Sequence, residues 1–360
     1  MRRFGPSLYF ASDKVIFDAI NQRAVNVELL RELLQERGVF VSAKTSKEEL
    51  AKYFSRLIVD YFDHKTIAGK LGRVAKKERF TAFDIDSEVD KGQIIDAIKE
   101  IKKGLDERGE SLKIDVTESG SIVLEIEYEH IDYTKAELRQ VQPRDAIIEF
   151  TKGSSGKYSV RNTHNNYTDS VVNGICEALG AAVGKPIERT TVNLQSHPEP
   201  SKRTAFFEAI IKGIDGYELI TVTEAFCFKP PKGKVFQEDE DDDDKELEDS
   251  PLVERVGLRG RAVTKSLLID GLYKTGYYIV KVVWQVKSKS SADSDVFELE
   301  AQFSEPINCT GFSYQTKRVL IFEDGKITDK TRHLKAAEEA ALAQLIERAA
   351  KSAYQSASGG

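Results

Sequence analysis

Between Glu238 and Asp249 ten of twelve residues are acidic and one is lysine, a net charge of −9 in one short run. No hydrophobic core takes in such a run, because a buried carboxylate without a partner is strongly destabilising. Together with Lys229-Pro230-Pro231-Lys232-Gly233 ahead of it, the run reads as a linker or long surface loop over residues 230–252. A chain of 360 residues is also longer than one core usually serves. The expectation is a helical domain over 1–80, an α+β domain over 81–229, the linker, and a second α+β domain over 253–356.

The acidic run conceals the charge balance of the rest. The whole chain holds 53 Lys and Arg against 59 Asp and Glu, a net of −6. Without residues 238–249 the count is 52 against 49, or +3. Residues 1–79 alone hold sixteen basic and ten acidic residues, or +6. Basic charge gathered at one end points to a polyanion as partner.

The texture of the chain changes at Phe80. Before it, apolar residues recur at helical spacing through Leu29, Leu30, Leu33 and Leu34, and again through Leu50, Tyr53, Phe54, Leu57 and Ile58. A third helical stretch covers roughly 64–78. After it, helices and strands alternate. A helix over about 90–107 precedes a hairpin of 112–116 and 122–128, and a second hairpin joins 146–151 to 157–161. A helix near 168–182 and a strand near 190–194 follow.

Two segments then share a plan of helix, glycine, aromatic and long strand: 206–211 with Gly216 and Tyr217–Phe228, and 264–273 with Gly276 and Tyr277–Val286. They form a possible internal repeat. Beyond the linker come a helix, strands over about 277–288, 296–304 and 312–322, and a terminal helix over about 330–354. The fold class is α+β, with mainly antiparallel sheets and packed helices behind an N-terminal helical domain.

Three separated cysteines, Cys176, Cys227 and Cys309, fit buried thiols and not a disulfide framework. No apolar run is long enough to span a membrane, and Met1-Arg2-Arg3-Phe4-Gly5-Pro6 leads into no apolar signal core. A cytoplasmic location is expected.

Within residues 26–57, Leu30 and Leu33-Leu34 mark one helix, with Arg37-Gly38 at its end. A loop with Ser42, Lys44 and Thr45 follows, then a second helix with Lys47, Glu49-Leu50 and Leu57. Gly38 suits a left-handed cap, and Ser46 with Glu49 has the spacing of a capping box. Lys44, Thr45 and Lys47 then surround a helix N-terminus, whose free N–H groups favour phosphate.

This segment resembles the SAP and related helix-extended-loop-helix modules, over these residues only. The resemblance implies that the loop and helix start contact the DNA backbone and minor groove. Tyr53-Phe54 stands where the family more often has a basic pair, and Ala43-Lys44-Thr45-Ser46-Lys47 replaces the usual Gly-Lys-Lys loop. A second basic group, Lys65, Lys70, Arg73, Lys76, Lys77 and Arg79, extends the candidate surface. Arg37, Ser42, Lys44, Thr45 and Lys47 complete the expected nucleic-acid site.

Catalytic chemistry has one candidate. Asp270, a hydrophobic strand over 279–284 and then Gln285-Val286-Lys287 are similar to a metal-dependent nuclease of the restriction-enzyme type. There the acid holds a cation and the lysine steadies phosphate charge. Against this, Asp270 reads as helical and a turn and strand follow Lys287. Gly153-Ser154-Ser155-Gly156-Lys157 and Gly180-Ala181-Ala182-Val183-Gly184-Lys185-Pro186 lack the spacing and context of a phosphate loop. The five histidines show no zinc spacing. Val256–Arg261 reads as a small basic loop.

The expected function is DNA binding without enzymatic activity, as a subunit or accessory factor of a nucleic-acid-handling assembly. No cofactor or metal is expected, and DNA is the expected partner, with protein contacts or self-association beside it. The alternatives are the nuclease and a scaffold that binds only protein.

Overall fold

The computed structural model describes residues 9–72, 78–118, 120–153, 156–230, 253–291 and 293–358. The acidic linker and three of the expected site residues, Arg73, Lys76 and Lys77, lie outside them.

In chain order the N-terminal helices are α1 (Asp13–Ile20), α2 (Val27–Glu36), α3 (Lys47–Phe54) and α4 (Tyr61–Gly72). Ser12, Asn26 and Ser46 open the first three, each accepting from a backbone N–H three residues on. Next come β1 (Phe80–Ile85), α5 (Lys91–Glu107), β2 (Ser111–Val116), β3 (Ile122–Ile131), β4 (Val141–Lys152) and β5 (Tyr158–Thr163). They are followed by α6 (Asn166–Val183), β6 (Arg189–Thr191), α7 (Pro200–Lys212), β7 (Tyr217–Phe228) and β8 (Arg255–Arg259). The chain ends with α8 (Leu267–Lys274), β9 (Tyr278–Ser288), β10 (Val296–Glu305), β11 (Thr310–Glu323), β12 (Lys326–Arg332) and α9 (Ala336–Ser358). The α+β class is as expected.

These elements gather into two compact units that interleave along the sequence. The first takes residues 1–77, 89–152 and 166–187; the second takes 78–88, 153–165 and 188–360. The sequence reading divides the chain into consecutive segments instead, because hydrophobic patterning does not report which strands pair at a distance.

In the first unit, α1–α4 enclose a core of Ile16, Ile20, Leu30, Leu34, Leu50, Phe54 and Ile67, which Leu138 joins. β2, β3 and β4 form an antiparallel ladder beside them. The helix α5 is opened by a capping box of Asp90 and Gln93. It packs against α6 where Gly174 leaves room: a Cβ there would meet Ile101 Cδ1 at 3.2 Å.

In the second unit the antiparallel order is β5, β1, β11, β10, β9, β7, β8, with β6 on β1 and β12 on β11. One face of this sheet is apolar, carrying Val282, Trp284, Val286, Leu299, Ala301, Phe303 and Phe312. Phe206, Phe207 and Ile210 of α7 pack on it, with Leu342, Ile346 and Ala350 of α9. The other face carries charges at the alternating positions, as period two requires.

The two helix–glycine–strand segments place Gly216 and Gly276 at φ +76° and +89°, ahead of β7 and β9, which pair with one another. Cys176, Cys227 and Cys309 are buried, and none is joined to another in a disulfide. No helix among the described residues is long and apolar enough to cross a membrane.

Three expectations need correction. Residues 330–335 do not begin the terminal helix: Asp324 and Gly325, at φ +52° and +75°, reverse the chain into β12, and α9 starts at Ala336. Val256–Arg259 is not a loop but most of strand β8, pairing along β7 from Phe228↔Arg255 to Glu224↔Arg259. Its Gly257 lies under the Phe226 ring, 3.1 Å from where a Cβ would stand. The element after the linker is therefore a strand, ahead of the expected helix. The third helix begins at Tyr61, ahead of the expected start near 64, and residues 73–77 of the expected stretch lie outside the described ones.

Since Leu342 is fully buried between α9 and the sheet, Leu342→Ala should cost about 3 kcal/mol by loss of burial and the cavity left behind. A urea unfolding midpoint equal to wild type would show that α9 contributes little to this core.

Candidate nucleic-acid interface

The hairpin of α2 and α3 is built by local hydrogen bonds. Gly38, at φ +72°, donates to the Gln35 carbonyl at 2.8 Å, and Val39 donates to Leu34 at 2.9 Å. That pair of bonds is a Schellman motif and ends α2 sharply. The following loop is held from three sides. Arg31 Nη2 donates to the Ala43 carbonyl at 2.7 Å, Lys44 N–H to Ser42 Oγ at 3.2 Å, and Thr45 N–H to the Ser42 carbonyl at 3.1 Å. The expected capping box closes the loop: Glu49 N–H donates to Ser46 Oγ at 3.2 Å, and Ser46 N–H to Glu49 Oε2 at 3.0 Å.

The expected basic residues divide into two groups. Lys44, Lys65 and Lys70 are exposed and make no ion pair with a described carboxylate; Lys65 lies 5.8 Å from the centre of the Tyr61 ring. Ser42 is exposed and Thr45 half-buried in the same loop.

Arg37, Lys47 and Arg79 are committed elsewhere. Arg37 pairs with the Asp63 carboxylate and lies 5.4 Å from the Phe54 ring centre. Lys47 Nζ donates to the Gln22 carbonyl at 2.8 Å, bracing α3 against the end of α1, and burial draws its pKa down. Arg79 belongs to the second unit, where its Nε meets Glu300 Oε1 at 2.7 Å. The structure thus gathers Ser42, Lys44 and Thr45 in one loop and removes three cations from the expected surface.

The start of α4 carries an aromatic series. Tyr9 and Tyr61 meet edge to face at 4.7 Å, and Tyr61 meets Phe62 in the same way at 5.3 Å. His64 is buried against Tyr9, 5.7 Å between ring centres, and neither ring nitrogen has a hydrogen-bond partner. Burial lowers its pKa.

The nuclease residues do not form a site. Asp270 is exposed on α8, whose Ile269 enters the apolar core on the helix-covered face of the sheet. Gln285 and Lys287 lie on β9 at positions alternating with the core residues Trp284 and Val286. Gln285 Nε2 donates to Glu298 Oε2 at 3.2 Å, and the Lys287 ammonium sits 4.6 Å from the Phe322 ring centre. A turn and β10 follow, as the sequence indicates. Among the described residues no cluster of three or more His, Cys, Asp or Glu is placed to hold a metal.

Sequence reasoning did not single out the charged face of the second unit's sheet. Glu298 and Glu300 are buried there. Glu300 receives Arg79, Lys281 Nζ at 2.9 Å and Gln315 Nε2 at 2.9 Å. Glu298 accepts from Arg318 Nε and Nη2, at 3.0 and 2.9 Å. Burial pushes the Glu300 pKa up, but Lys281 and Arg79 outweigh it and hold the carboxyl below its usual range. The signal for this face was the alternation Phe297-Glu298-Leu299-Glu300-Ala301.

Compared with models of known families and with curated proteins, the chain matches none.

Two outcomes follow. Glu300→Leu removes one side of a buried network and strands Arg79 and Lys281, so stability should fall by about 3 kcal/mol; a denaturation midpoint within error of wild type would contradict it. An unfolded histidine titrates near 6.5, and folded His64 titrates lower. Below about pH 6.5 the unfolded chain therefore binds a proton that the folded chain refuses, and stability falls with pH. His64→Leu should flatten that dependence in midpoints measured between about pH 7.5 and 5.5.

Proposed function

We propose that the chain binds DNA through the α2–α3 loop and the exposed lysines of α4, as a non-enzymatic component of a nucleic-acid-handling assembly. The observation that carries this reading is the fixed loop, in which Lys44 is exposed beside the start of α3 while the N–H groups of Lys44, Thr45 and Ser46 and the carbonyls of Ser42 and Ala43 are hydrogen-bonded within the hairpin. A preformed loop loses little conformational entropy on binding. Lys65 and Lys70 add charge on α4, and the three ammonium groups act as point charges toward phosphate, not as readers of sequence. The loop's resemblance to the SAP-type module supports the same assignment. Its contacts are with the backbone, so affinity depends on salt and little on base sequence.

Full-length protein carrying Lys44→Gln, Lys65→Gln and Lys70→Gln together should bind DNA more weakly. Its slope of log affinity against log salt should be shallower by about two to three, near 0.9 for each phosphate no longer neutralised. Lys47→Gln is the contrast, because its ammonium braces α3: it should lower stability and leave the slope intact. A triple variant with wild-type affinity and slope would remove this surface from the function.

A further inference from the structure

Register sorts the side chains of β2, β3 and β4 onto two faces. Leu112 lies opposite Ile126, and Ile126 opposite Ala146. These positions are buried, as are Leu124 and Ile148 on the same face. The alternate positions share the other face, and a slip of one residue would bury them. They carry Asp115, Glu125, Glu127, Glu129, Asp145 and Glu149 against one cation, Lys113. All but the half-buried Glu149 are exposed.

This face lacks the interspersed signs of an ordinary protein surface. Glu127 stands directly opposite Asp145, and like charges so placed destabilise a ladder. Among the described residues, the one ion pair made by Asp115, Glu125, Glu127, Glu129 or Asp145 is that of Glu127 with Lys113, at 4.0 Å. Neighbouring cations are engaged elsewhere. Arg144 lies on the other face, opposite Tyr128, and donates to Gln142 at 3.3 Å. Lys135 pairs with Asp132 at 3.9 Å, and Arg139 donates to Gln22. Apolar side chains sit among the acids: Ile147, 40% exposed, is opposite Glu125, and the half-buried Val123 is diagonal to it.

We infer that this face is a docking surface for a lysine- or arginine-rich segment of a partner protein. Charge selects the occupant, because the face repels the phosphates of nucleic acids and of lipid headgroups. A metal ion does not fit it, since among the described residues no group of three or more acids is placed to hold one. The carboxylates instead stand in rows, roughly 7 Å apart along each strand. A long basic side chain suits both parts of the surface: its aliphatic stem covers Ile147 and Val123, and its charged head reaches the acids. A cation set between Glu127 and Asp145 turns the repulsion of the free protein into attraction for the partner. None of the lysines proposed to meet DNA belongs to this face, so the two readings stand or fall separately.

The test titrates labelled decalysine into the full-length protein and follows fluorescence anisotropy at low salt. Glu125→Gln, Glu127→Gln and Asp145→Asn together should weaken binding by roughly tenfold, the sum of three surface ion pairs. Hydrogen exchange with the peptide bound should show protection over residues 111–149. Asp145→Asn alone should weaken the peptide and also raise the urea midpoint, because it relieves the opposition to Glu127. A midpoint that falls would show acids that serve the fold, and would overturn the inference. A triple variant with wild-type affinity, its protection confined to residues 238–249, would give the peptide to the acidic run and overturn it too. So would weaker binding of labelled duplex DNA by the triple variant, which would place the face in the nucleic-acid surface. Self-association of the wild type in sedimentation, lost in the triple variant without change in decalysine binding, would assign the face to a second copy and overturn the inference.

Discussion

A carboxylate withdrawn from water needs cations close by, and in this chain that need commits several of the basic residues. Glu300 engages Arg79 and Lys281, Glu298 engages Arg318, and Asp63 engages Arg37. Each pairing offsets a desolvation cost that would otherwise be several kcal/mol. The pairings are also geometric constraints. Glu300 lies on β10 and draws on β9, β11 and the residue ahead of β1, so four neighbouring strand segments of the second unit converge on one side chain. In the first unit Asp63 holds the end of α2 against the first turn of α4.

Much of the fold was legible because its signals are local. The capping box of Ser46 and Glu49, the left-handed Gly38, and the period-two runs that became β3, β9 and β10 are each written within a few residues. β8 was obscured because a short edge strand rich in arginine and glycine looks like a loop until its partner is known. β12 carried a readable mark in Asp324-Gly325, but its polar residues and the alanine-rich helix beyond it drew the helical assignment too far back. The interleaving of the two units had no local signal at all. It depends on which strands pair, and Phe80, for example, lies opposite Thr163 on one side and Tyr314 on the other.

The candidate site shows the same division. Sequence placed Lys44 correctly in a loop between two helices, because Gly38 and Ser46 bracket it. Nothing in the sequence told Lys44 from Lys47, three residues away. The difference lies in a distant carbonyl, that of Gln22, which Lys47 reaches and Lys44 does not. Arg37 was likewise indistinguishable from a phosphate ligand until Asp63, twenty-six residues on, was found beside it. A charge census counts such residues as available; only the tertiary structure shows them spent.

The pairing of Phe228 with Arg255 at the base of β7 and β8 has a consequence of another kind. The two ends of the intervening segment, which contains the acidic run, meet at one point on the margin of the sheet. The ladder closes the chain between Phe228 and Arg255. Closing such a loop costs only about 0.6 kcal/mol more for each doubling of its length. The chain-entropy cost of a longer connection is thus small beside the strand pairing that flanks it.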